Sequence, residues 1–466
     1  MSLNRQNAFC IAAALVAGAL VTGALAHAQS RSAPGWIEGY RETAGRLMKA
    51  ATGDDFAWQR LAELGDTYGN RLSGSENLTR AIAWAAETMK MDGLENVHVE
   101  PVMVPRWVRG NESAEIIDPP RHAVAMLGLG GSIATPPGGL DADVLVVNSF
   151  EDLRAHAAAA KGRIVLFNAP FTSYNDTVMY RTGGARAAAQ AGGVAALVRA
   201  VGPMGLRTPH TGGLQYGQGV PAIPSASIAA EDANRIARLV ARGRRVRMRL
   251  SMEAHNEPDV ESANVVGEIR GRERPEEIVL LGGHIDSWDV GAGASDDGVG
   301  IVVTWEAARL MAKLGIRPRR TVRIVLWTNE ENGLRGATAY AEKHAAEAQN
   351  HVFALESDSG VFEPASLGFS GSNGARALIR DIWSLLGPLG IPEIVAGGGG
   401  ADVGPIAQAG NAPTMAYLGD PAKYFTIHHT PADTVERIAP DEVSKAAAAI
   451  AVMAYVVADM PEKLPK

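Results

Sequence analysis

Three apolar segments in the second half of the chain end in polar or acidic residues, and this pattern restricts the fold more than any other feature. IVLLGGHID (278–286), TVRIVLWTNEE (321–331) and HVFALESDSG (351–360) have the character of buried strands. Helical patterns at 299–314 and 333–349 separate them. Continuous apolar strands alternating with helices are typical of a mostly parallel sheet covered on both faces. We therefore predict an α/β fold with a mostly parallel mixed sheet, and a ligand site at the carboxyl ends of its strands.

Five groups of polar residues stand at these strand ends or at helix starts. They are His284-x-Asp286, Asp296-Asp297-Gly298, Glu330-Glu331, Asp358 and His428-His429. Each alone has an ordinary explanation, since an acidic residue before a helix serves as a cap and a single histidine is often structural. Together they could converge on one edge of the sheet, and their conjunction is what indicates a site.

Carboxylates and imidazoles gathered in one cleft favour a metal centre. Without cations, the carboxylates would repel one another and lose hydration energy. Two divalent metals remove both costs. The mixed nitrogen and oxygen donors suit zinc, with manganese or cobalt as chemical alternatives.

Two short spacings suggest a division of labour. In an extended chain His284 and Asp286 point to the same side, so we expect Asp286 to accept a hydrogen bond from the ring nitrogen of His284 that faces away from the metal. Of Glu330 and Glu331, we expect one carboxylate to bind metal and the other to take a proton from a water shared by two metals.

The chain is long enough for two or three domains, with 466 residues and a net charge of −7. It has no basic block, which argues against nucleic acid as a partner. Short strands and helices follow the Gly- and Pro-rich stretch near residue 130, and we predict an inserted domain over 126–252. The glycine-rich loop 396–400 lacks the Gly-Lys-Ser/Thr ending of a phosphate loop, so we interpret it as an active-site loop.

The first 28 residues are typical of a secretory signal peptide. Arg5 precedes an apolar stretch from Ala8 to Ala26, and Ala26-His27-Ala28 offers a small-x-small cleavage site. An uncleaved membrane anchor is the alternative. Cys10, the only cysteine, lies inside this segment, so the mature chain would have no disulfide. We expect a secreted or periplasmic protein without a stable membrane span.

Four motifs carry a resemblance to a known family. GGHIDSWDVGAGASDDG, LWTNEENG, LESDSG and HHTPADT closely resemble those of the di-zinc aminopeptidase and carboxypeptidase family, the zinc exopeptidases. LSGSENLTRA (72–81) extends the likeness toward the start of the chain. KGRIVLFNAP and ARAAAQAGGVAALV look like parts of a protease-associated domain, a common insertion in this family. The resemblance implies a phosphorylase/hydrolase-like catalytic domain over 29–125 and 253–466.

The resemblance also implies a role for each motif residue. His284 and Asp358 would complete the first metal site and Glu331 and His429 the second, with Asp296 bridging both. Glu330, the first Glu of its pair, would be the general base. This implies peptide hydrolysis with two Zn²⁺ per chain, acting on short peptides or dipeptides, and a homodimer.

Two residues are weaker candidates for substrate contact. Tyr424, just before the histidine pair, could donate to a developing oxyanion. Asp402 lies in Ala401-Asp402-Val403, where many family members have Ser-Asp-His. This departure puts aminopeptidase specificity in doubt, and the sequence leaves aminopeptidase, carboxypeptidase and dipeptidase action open.

Three alternatives predict different features. Related amidohydrolases insert a lid domain between the fourth and fifth ligands, but residues 359–428 leave too little chain for one. A glutaminyl cyclase-like acyltransferase would use a single zinc. A catalytically silent binding protein would lack ligands, whereas this chain has all five and the base.

Overall fold

The computed structural model describes residues 35–392 and 394–466. The predicted signal peptide, its cleavage site after Ala28 and Cys10 lie outside the described residues. None of the helices in the described part is long and apolar enough to cross a membrane.

The chain begins with four helices and one long strand that pack on the catalytic core. They are α1 (Gly35–Glu38), α2 (Arg41–Ala51), α3 (Phe56–Tyr68), α4 (Glu76–Met91) and β1 (Glu95–Val108). The start of α4 agrees with its sequence, because the Ser75 hydroxyl accepts a hydrogen bond from the Leu78 amide and so caps the helix.

The next part of the chain forms a second sheet with its own helices. Its strands are β2 (Glu112–Asp118), β3 (His122–Val124), β4 (Met126–Gly128), β5 (Leu140–Val147), β6 (Ile164–Phe167), β7 (Ala195–Arg199), β8 (Ser225–Ile228) and β9 (Arg247–Met252). Its helices are α5 (Phe150–Ala155), α6 (Ala157–Ala160), α7 (Tyr174–Gln190) and α8 (Ala230–Ala241). The strand order is β3-β2-β9-β5-β6-β7-β8-β4. This sheet therefore begins at Glu112, earlier than the boundary at residue 126 that the sequence suggests, because β2 pairs with β9.

The remaining chain completes the catalytic sheet. Its strands are β10 (His255–Ile269), β11 (Arg274–His284), β12 (Arg320–Trp327), β13 (His351–Glu356), β14 (Ser366–Ser370), β15 (Val395–Ala396) and β16 (Thr414–Leu418). Its α-helices are α9 (Val299–Lys313), α10 (Arg335–Lys343), α11 (Asn373–Trp383), α12 (Gly404–Gly410), α13 (Pro421–Ile427) and α14 (Pro440–Asp459). A π-turn spans Ala294–Gly298, and 3₁₀ turns span Ala345–Asn350, Ser384–Leu389 and Val435–Arg437.

The catalytic sheet is mixed, with the order β1-β10-β12-β11-β13-β16-β14-β15. Its four central strands β12, β11, β13 and β16 run parallel, while β10 and β14 pair with this group in antiparallel fashion. Helices α9 and α14 are buried nearly throughout and cover one face together with α2, α3 and α4. Helices α10 and α12 cover the other. The predicted α/β class with a helix-covered sheet is confirmed.

Strand register brings the predicted ligands to one edge. His284, the last residue of β11, is level with Trp327, the last residue of β12. Gly282 is level with Glu356, so Asp358 follows β13 at the height of His284. The chain leaving β12 then carries Glu330 and Glu331 past the same edge.

Candidate metal centre

Asp296 lies at the centre of the site and offers one carboxylate oxygen to each of two groups of donors. Its Oδ1 is 3.3 Å from His284 Nε2, which is also 3.5 Å from Asp358 Oδ1. Its Oδ2 is 3.0 Å from His429 Nε2, which is also 3.1 Å from Glu331 Oε2. The five residues predicted as ligands therefore lie together, and each oxygen of Asp296 faces a different pair.

His428 also reaches this carboxylate, which the sequence did not reveal. Its Nε2 is 3.4 Å from Asp296 Oδ2, and its ring stacks on that of His429 with centroids 3.6 Å apart. The donors around Asp296 form two sets that could each hold an ion: one has His284 and Asp358, and the other has His428 and His429 but not Glu331. Of the two histidines, His429 has the shorter distance to Asp296 and also contacts Glu331.

These donors fit metal binding. His284 Nε2 and Asp296 Oδ2 are buried and have no hydrogen-bond partner within the described residues. Each of these buried atoms is costly without a partner, and a cation beside it would remove that cost. The imidazole and carboxylate set is one that zinc accepts.

The electrostatics reflect the crowding of charges. Burial would raise the pKa of Asp296, but the charges of His428 and His284 outweigh it and hold that pKa well below its ordinary value. Burial raises the pKa of Glu330 well above its ordinary range. The charge of His284 lowers this pKa, and the charge of Asp358 raises it further. Two carboxylates in one cleft thus differ in proton affinity, as acid–base chemistry requires.

The role expected for Asp286 is wrong in its atomic detail. His284 Nδ1–H donates to the main-chain carbonyl of Asp286 at 2.9 Å, while the nearest Asp286 carboxylate oxygen is 3.8 Å away. The carboxylate turns instead to the chain leaving β12 and accepts from the amides of Glu330 at 3.0 Å and Glu331 at 3.3 Å. These amides are free because the chain has left the sheet, so Asp286 positions the glutamate pair while its carbonyl orients the histidine.

Asp433 was missed, although it lies in the motif HHTPADT. One carboxylate oxygen accepts from the Ser295 amide at 2.7 Å and the other from the Asp296 amide at 3.2 Å. Asp433 thereby fixes the turn that carries the Asp296 carboxylate. Nothing in its spacing distinguishes this role from the capping that Asp-Thr sequences often provide.

Arg71 was also missed, and it organises the loop between the first two ligands. It is fully buried, and its guanidinium group donates to four main-chain carbonyls in this site. The acceptors are Gly69, Ile285, Ala292 and Gly293. Five donors in a rigid fork can gather several carbonyls at once, which a lysine cannot do.

The second sheet contributes to the centre through Thr211. The Thr211 amide donates to the His429 carbonyl at 2.9 Å, and the Thr211 carbonyl lies 3.2 Å from His429 Nδ1. Arg181 donates to the same Thr211 carbonyl. His429 has a positive φ of 60°, a backbone conformation that side chains other than glycine adopt rarely, and Thr211 binds it from both sides. Arg181 Nη1 also lies 3.3 Å from His429 Nδ1. In the tautomer that donates Nδ1–H to the Thr211 carbonyl, Nε2 is free for metal.

Trp288 joins the two sheets as well. Its main-chain amide donates to the Glu331 carboxylate at 3.2 Å, while its side chain is buried in the core of the second sheet. Gly130 of that sheet allows the approach, because a Cβ there would lie 2.1 Å from the indole. The adjacent Asp289 forms a two-bond ion pair with Arg109.

The two weaker candidates lie near the centre and are buried. The Tyr424 ring is 5.1 Å from the His428 ring, and burial raises its pKa well above the ordinary value, with Asp296 adding to the effect. Asp402 is 1% exposed and follows the glycine-rich loop.

With this geometry in place, comparison with known proteins defines the class. The model of peptidase family M28 matches residues 264–454, which contain all five predicted ligands. The chain belongs to this family and is a zinc metallopeptidase. Bovine (Bos taurus) carboxypeptidase Q is 47% identical to this chain over 410 residues, covering 88% of this chain and 87% of the relative.

Two solved peptidase structures have a similar fold. A peptidase M28 precursor from Shewanella amazonensis has a TM-score of 0.88 at 34% identity, covering 92% of this chain and 99% of that one. The zinc aminopeptidase BSAP from Bacillus subtilis has a TM-score of 0.66 at 21% identity, covering 88% of this chain and 96% of that one, a likeness of fold.

Proposed function

We propose that this protein is a di-zinc exopeptidase that hydrolyses short peptides or dipeptides. The proposal rests on one observation: the two carboxylate oxygens of Asp296 face separate pairs of donors. A carboxylate so placed could offer one oxygen to each of two ions. High identity to proteins named carboxypeptidase Q favours carboxypeptidase or dipeptidase action.

His284, Asp296 and Asp358 would hold one zinc, and Asp296, Glu331 and His429 the other. When bound, zinc polarises a carbonyl and lowers the pKa of water, which is the chemistry that amide hydrolysis needs. Glu330 is free for a different task, because its main chain is fixed by Asp286 while its carboxylate pairs with none of these ligands.

Glu330 serves as the general base. Its carboxylate takes a proton from the attacking water and returns it to the leaving amine. The raised pKa of this group suits both steps, since a carboxylate with a higher proton affinity takes a proton from water more readily and can then pass it to the amine. Tyr424 would donate from its hydroxyl to the oxygen that becomes negative as the carbonyl is attacked.

Paired substitutions of the two glutamates test the proposal. Glu330→Gln keeps the size of the side chain and removes the base, so it should retain two zinc ions and lose roughly 10²–10⁴-fold in rate. Glu331→Gln should lose the second zinc, and added zinc should partly restore its activity. Elemental analysis and turnover of a dipeptide are measured for both. Near wild-type turnover by Glu330→Gln with two zinc ions bound would refute the mechanism.

Zinc content and turnover also distinguish the proposed peptidase from a glutaminyl cyclase-like enzyme and from a binding protein. One zinc per chain with formation of pyroglutamate would identify a glutaminyl cyclase-like enzyme, and metal binding without turnover would identify a binding protein. Free, N-blocked and C-blocked dipeptides would divide aminopeptidase, carboxypeptidase and dipeptidase action.

We further propose that the protein is exported, that the second sheet is a protease-associated-like insertion, and that the chain forms a homodimer. Exported protein should begin at Gln29 by intact mass, and a start at Met1 would contradict cleavage. Sedimentation of the purified protein tests the dimer.

A further inference from the structure

Helix α8 and the chain that follows it into β9 are strongly basic. The protein as a whole is acidic, with a net charge of −7, but residues 235–249 contain seven arginines and no acidic residue. A short basic block is therefore present after all. Three of these arginines pair with Asp141 or Asp143 on the neighbouring strand β5. The other four form no ion pair within the described residues, and they are Arg235, Arg238, Arg242 and Arg244.

The four arginines follow the outer side of α8. Arg238 and Arg242 lie three and seven positions after Arg235, a spacing that places all three on one face of the helix. The opposite face carries Ile236, which is buried in the core of the second sheet. Arg238, Arg242 and Arg244 are exposed, so their charges face solvent. One or two basic residues would be enough to complement the carbonyls at the end of the helix, and four exceed that need.

An apolar loop tip lies beside the start of this arginine stripe. Met204 and Leu206 are 60% and 88% exposed. The loop is attached to the first turns of α8, because the Arg207 amide donates to the Glu231 carboxylate at 3.2 Å. The Asn234 side chain also donates to the Met204 sulfur at 3.7 Å. The apolar tip and the arginine stripe therefore form one continuous surface.

The backbone of the tip is held in a conformation that favours glycine. Leu206 has a φ of 56° and Arg207 a φ of 50°, and side chains with a Cβ adopt this left-handed region rarely. The Arg207 guanidinium stabilises the turn by donating to the buried Asp232 at 2.7 Å and to the Ala123 carbonyl at 3.0 Å. A strained turn that presents a leucine to water indicates a partner that covers it.

The surface of a membrane with anionic lipids fits both parts of this surface. Lipid phosphates accept the charge-assisted hydrogen bonds that guanidinium groups donate. The boundary between headgroups and hydrocarbon chains accepts apolar side chains such as Met204 and Leu206. A nucleic acid also offers phosphates, but proteins contact its bases with stacked aromatic rings, and residues 203–207 include none.

We propose that the arginine stripe and the apolar tip form a docking surface for membranes that contain anionic phospholipids. The four arginines bind the lipid phosphates, and Met204 and Leu206 enter the layer below the headgroups. Such a contact is peripheral and does not cross the bilayer. It is separate from the proposed peptidase function, because neither α8 nor the tip contains a proposed zinc ligand or the proposed base.

The test is flotation of the exported, purified protein with vesicles of phosphatidylglycerol and phosphatidylcholine, and with vesicles of phosphatidylcholine alone. The wild type should float with the anionic vesicles only, and less of it should float as the salt concentration rises. Each arginine near an anionic surface contributes about fivefold in binding, so losing three should weaken it roughly 100-fold. The triple variant is Arg238→Gln, Arg242→Gln and Arg244→Gln.

A matched control removes the same charge from exposed arginines elsewhere in the protein, and it should bind the anionic vesicles as the wild type does. Its substitutions are Arg80→Gln, Arg270→Gln and Arg380→Gln. Zinc content should equal that of the wild type in both triple variants. Equal binding by the two triple variants would overturn the proposal, and so would a wild type that does not bind anionic vesicles.

Leu206→Gly distinguishes docking from a structural role of the tip. Glycine adopts a φ of 56° without strain, so the melting temperature should be unchanged or higher. Binding to anionic vesicles should fall about 10-fold, because the leucine no longer enters the bilayer. A lower melting temperature would show that the leucine stabilises the loop and would overturn its docking role. A DNA duplex that Leu206→Gly binds as the wild type does, and that the arginine variant no longer binds, would assign the surface to nucleic acid instead.

Discussion

Replacing Asp433 by asparagine should weaken both of the proposed zinc sites without removing any of the proposed ligands. Each carboxylate oxygen of Asp433 accepts from one amide, Ser295 at 2.7 Å and Asp296 at 3.2 Å. An asparagine can keep one of these bonds and must place its amino group against the other amide. The shorter bond should survive, so the amide of the bridging Asp296 would lose its acceptor.

The size of the effect follows from this single lost bond. Leaving one buried amide unsatisfied costs about 1–3 kcal/mol. If the turn moves to relieve that cost, Asp296 moves with it, and residues that orient ligands typically contribute 10–100-fold in metal affinity. Since both oxygens of Asp296 face donor pairs, we expect a loss of roughly 10–100-fold at both sites.

The assay is a zinc titration of the metal-free protein against a chromophoric chelator, with thermal unfolding of the same samples. Glu436→Gln is the matched control, since it makes the same chemical change three positions away on the exposed surface. Wild-type zinc affinity at both sites in Asp433→Asn would refute the reasoning, even if the variant were less stable.

Three further variants test other parts of the structure. Gly130→Ala should displace Trp288 and lower zinc affinity, whereas Gly205→Ala, where a Cβ meets nothing within 4 Å, should match the wild type in a zinc titration. Burial lowers the pKa of His351 from 6.5 to about 4. The unfolded chain therefore binds a proton between these pH values that the native protein does not, so stability falls as the pH falls through this window. The melting temperature is measured at pH 7 and at pH 4.5. It should fall less between these two pH values in His351→Asn than in the wild type. Tyr424→Phe should lower kcat roughly 10²-fold with zinc content unchanged, and unaltered turnover would exclude an oxyanion role.

The sequence was sufficient to predict which polar residues lie at the carboxyl ends of the strands. Apolar strands that stop at His284 and just before Glu330 had to place these groups at one edge, because parallel strands share the direction in which they end. The hydrogen bonds beyond the ligands were not predictable in the same way. The Asp286 carboxylate accepts from the amides of Glu330 and Glu331, which are available only in the folded loop. Thr211 contacts His429 from the part of the chain that forms the second sheet. No local pattern encodes a contact between segments so far apart.

The second sheet lies in the middle of the chain, where the sequence predicts an inserted domain over 126–252, but the sheet begins at Glu112. β2 alternates polar and apolar residues, as β1 does, so periodicity alone could not assign one strand to each sheet. Only pairing with β9, more than a hundred residues later, decides where β2 belongs. Long-range pairing of this kind is a property of the whole fold.

The contact between Thr211 and His429 has a consequence for how activity arises during biosynthesis. The polypeptide is made from its amino terminus, so the segment around Thr211 emerges well before the last ligand. A nascent chain that has reached Asp358 already has the general base and four of the five predicted ligands, yet it lacks His429. Under the proposed two-zinc mechanism, the second zinc site is complete only once His429 has been made and has met Thr211. Hydrolytic activity would then arise only after synthesis has passed His429, and truncated chains that end earlier would remain inactive toward the peptides around them.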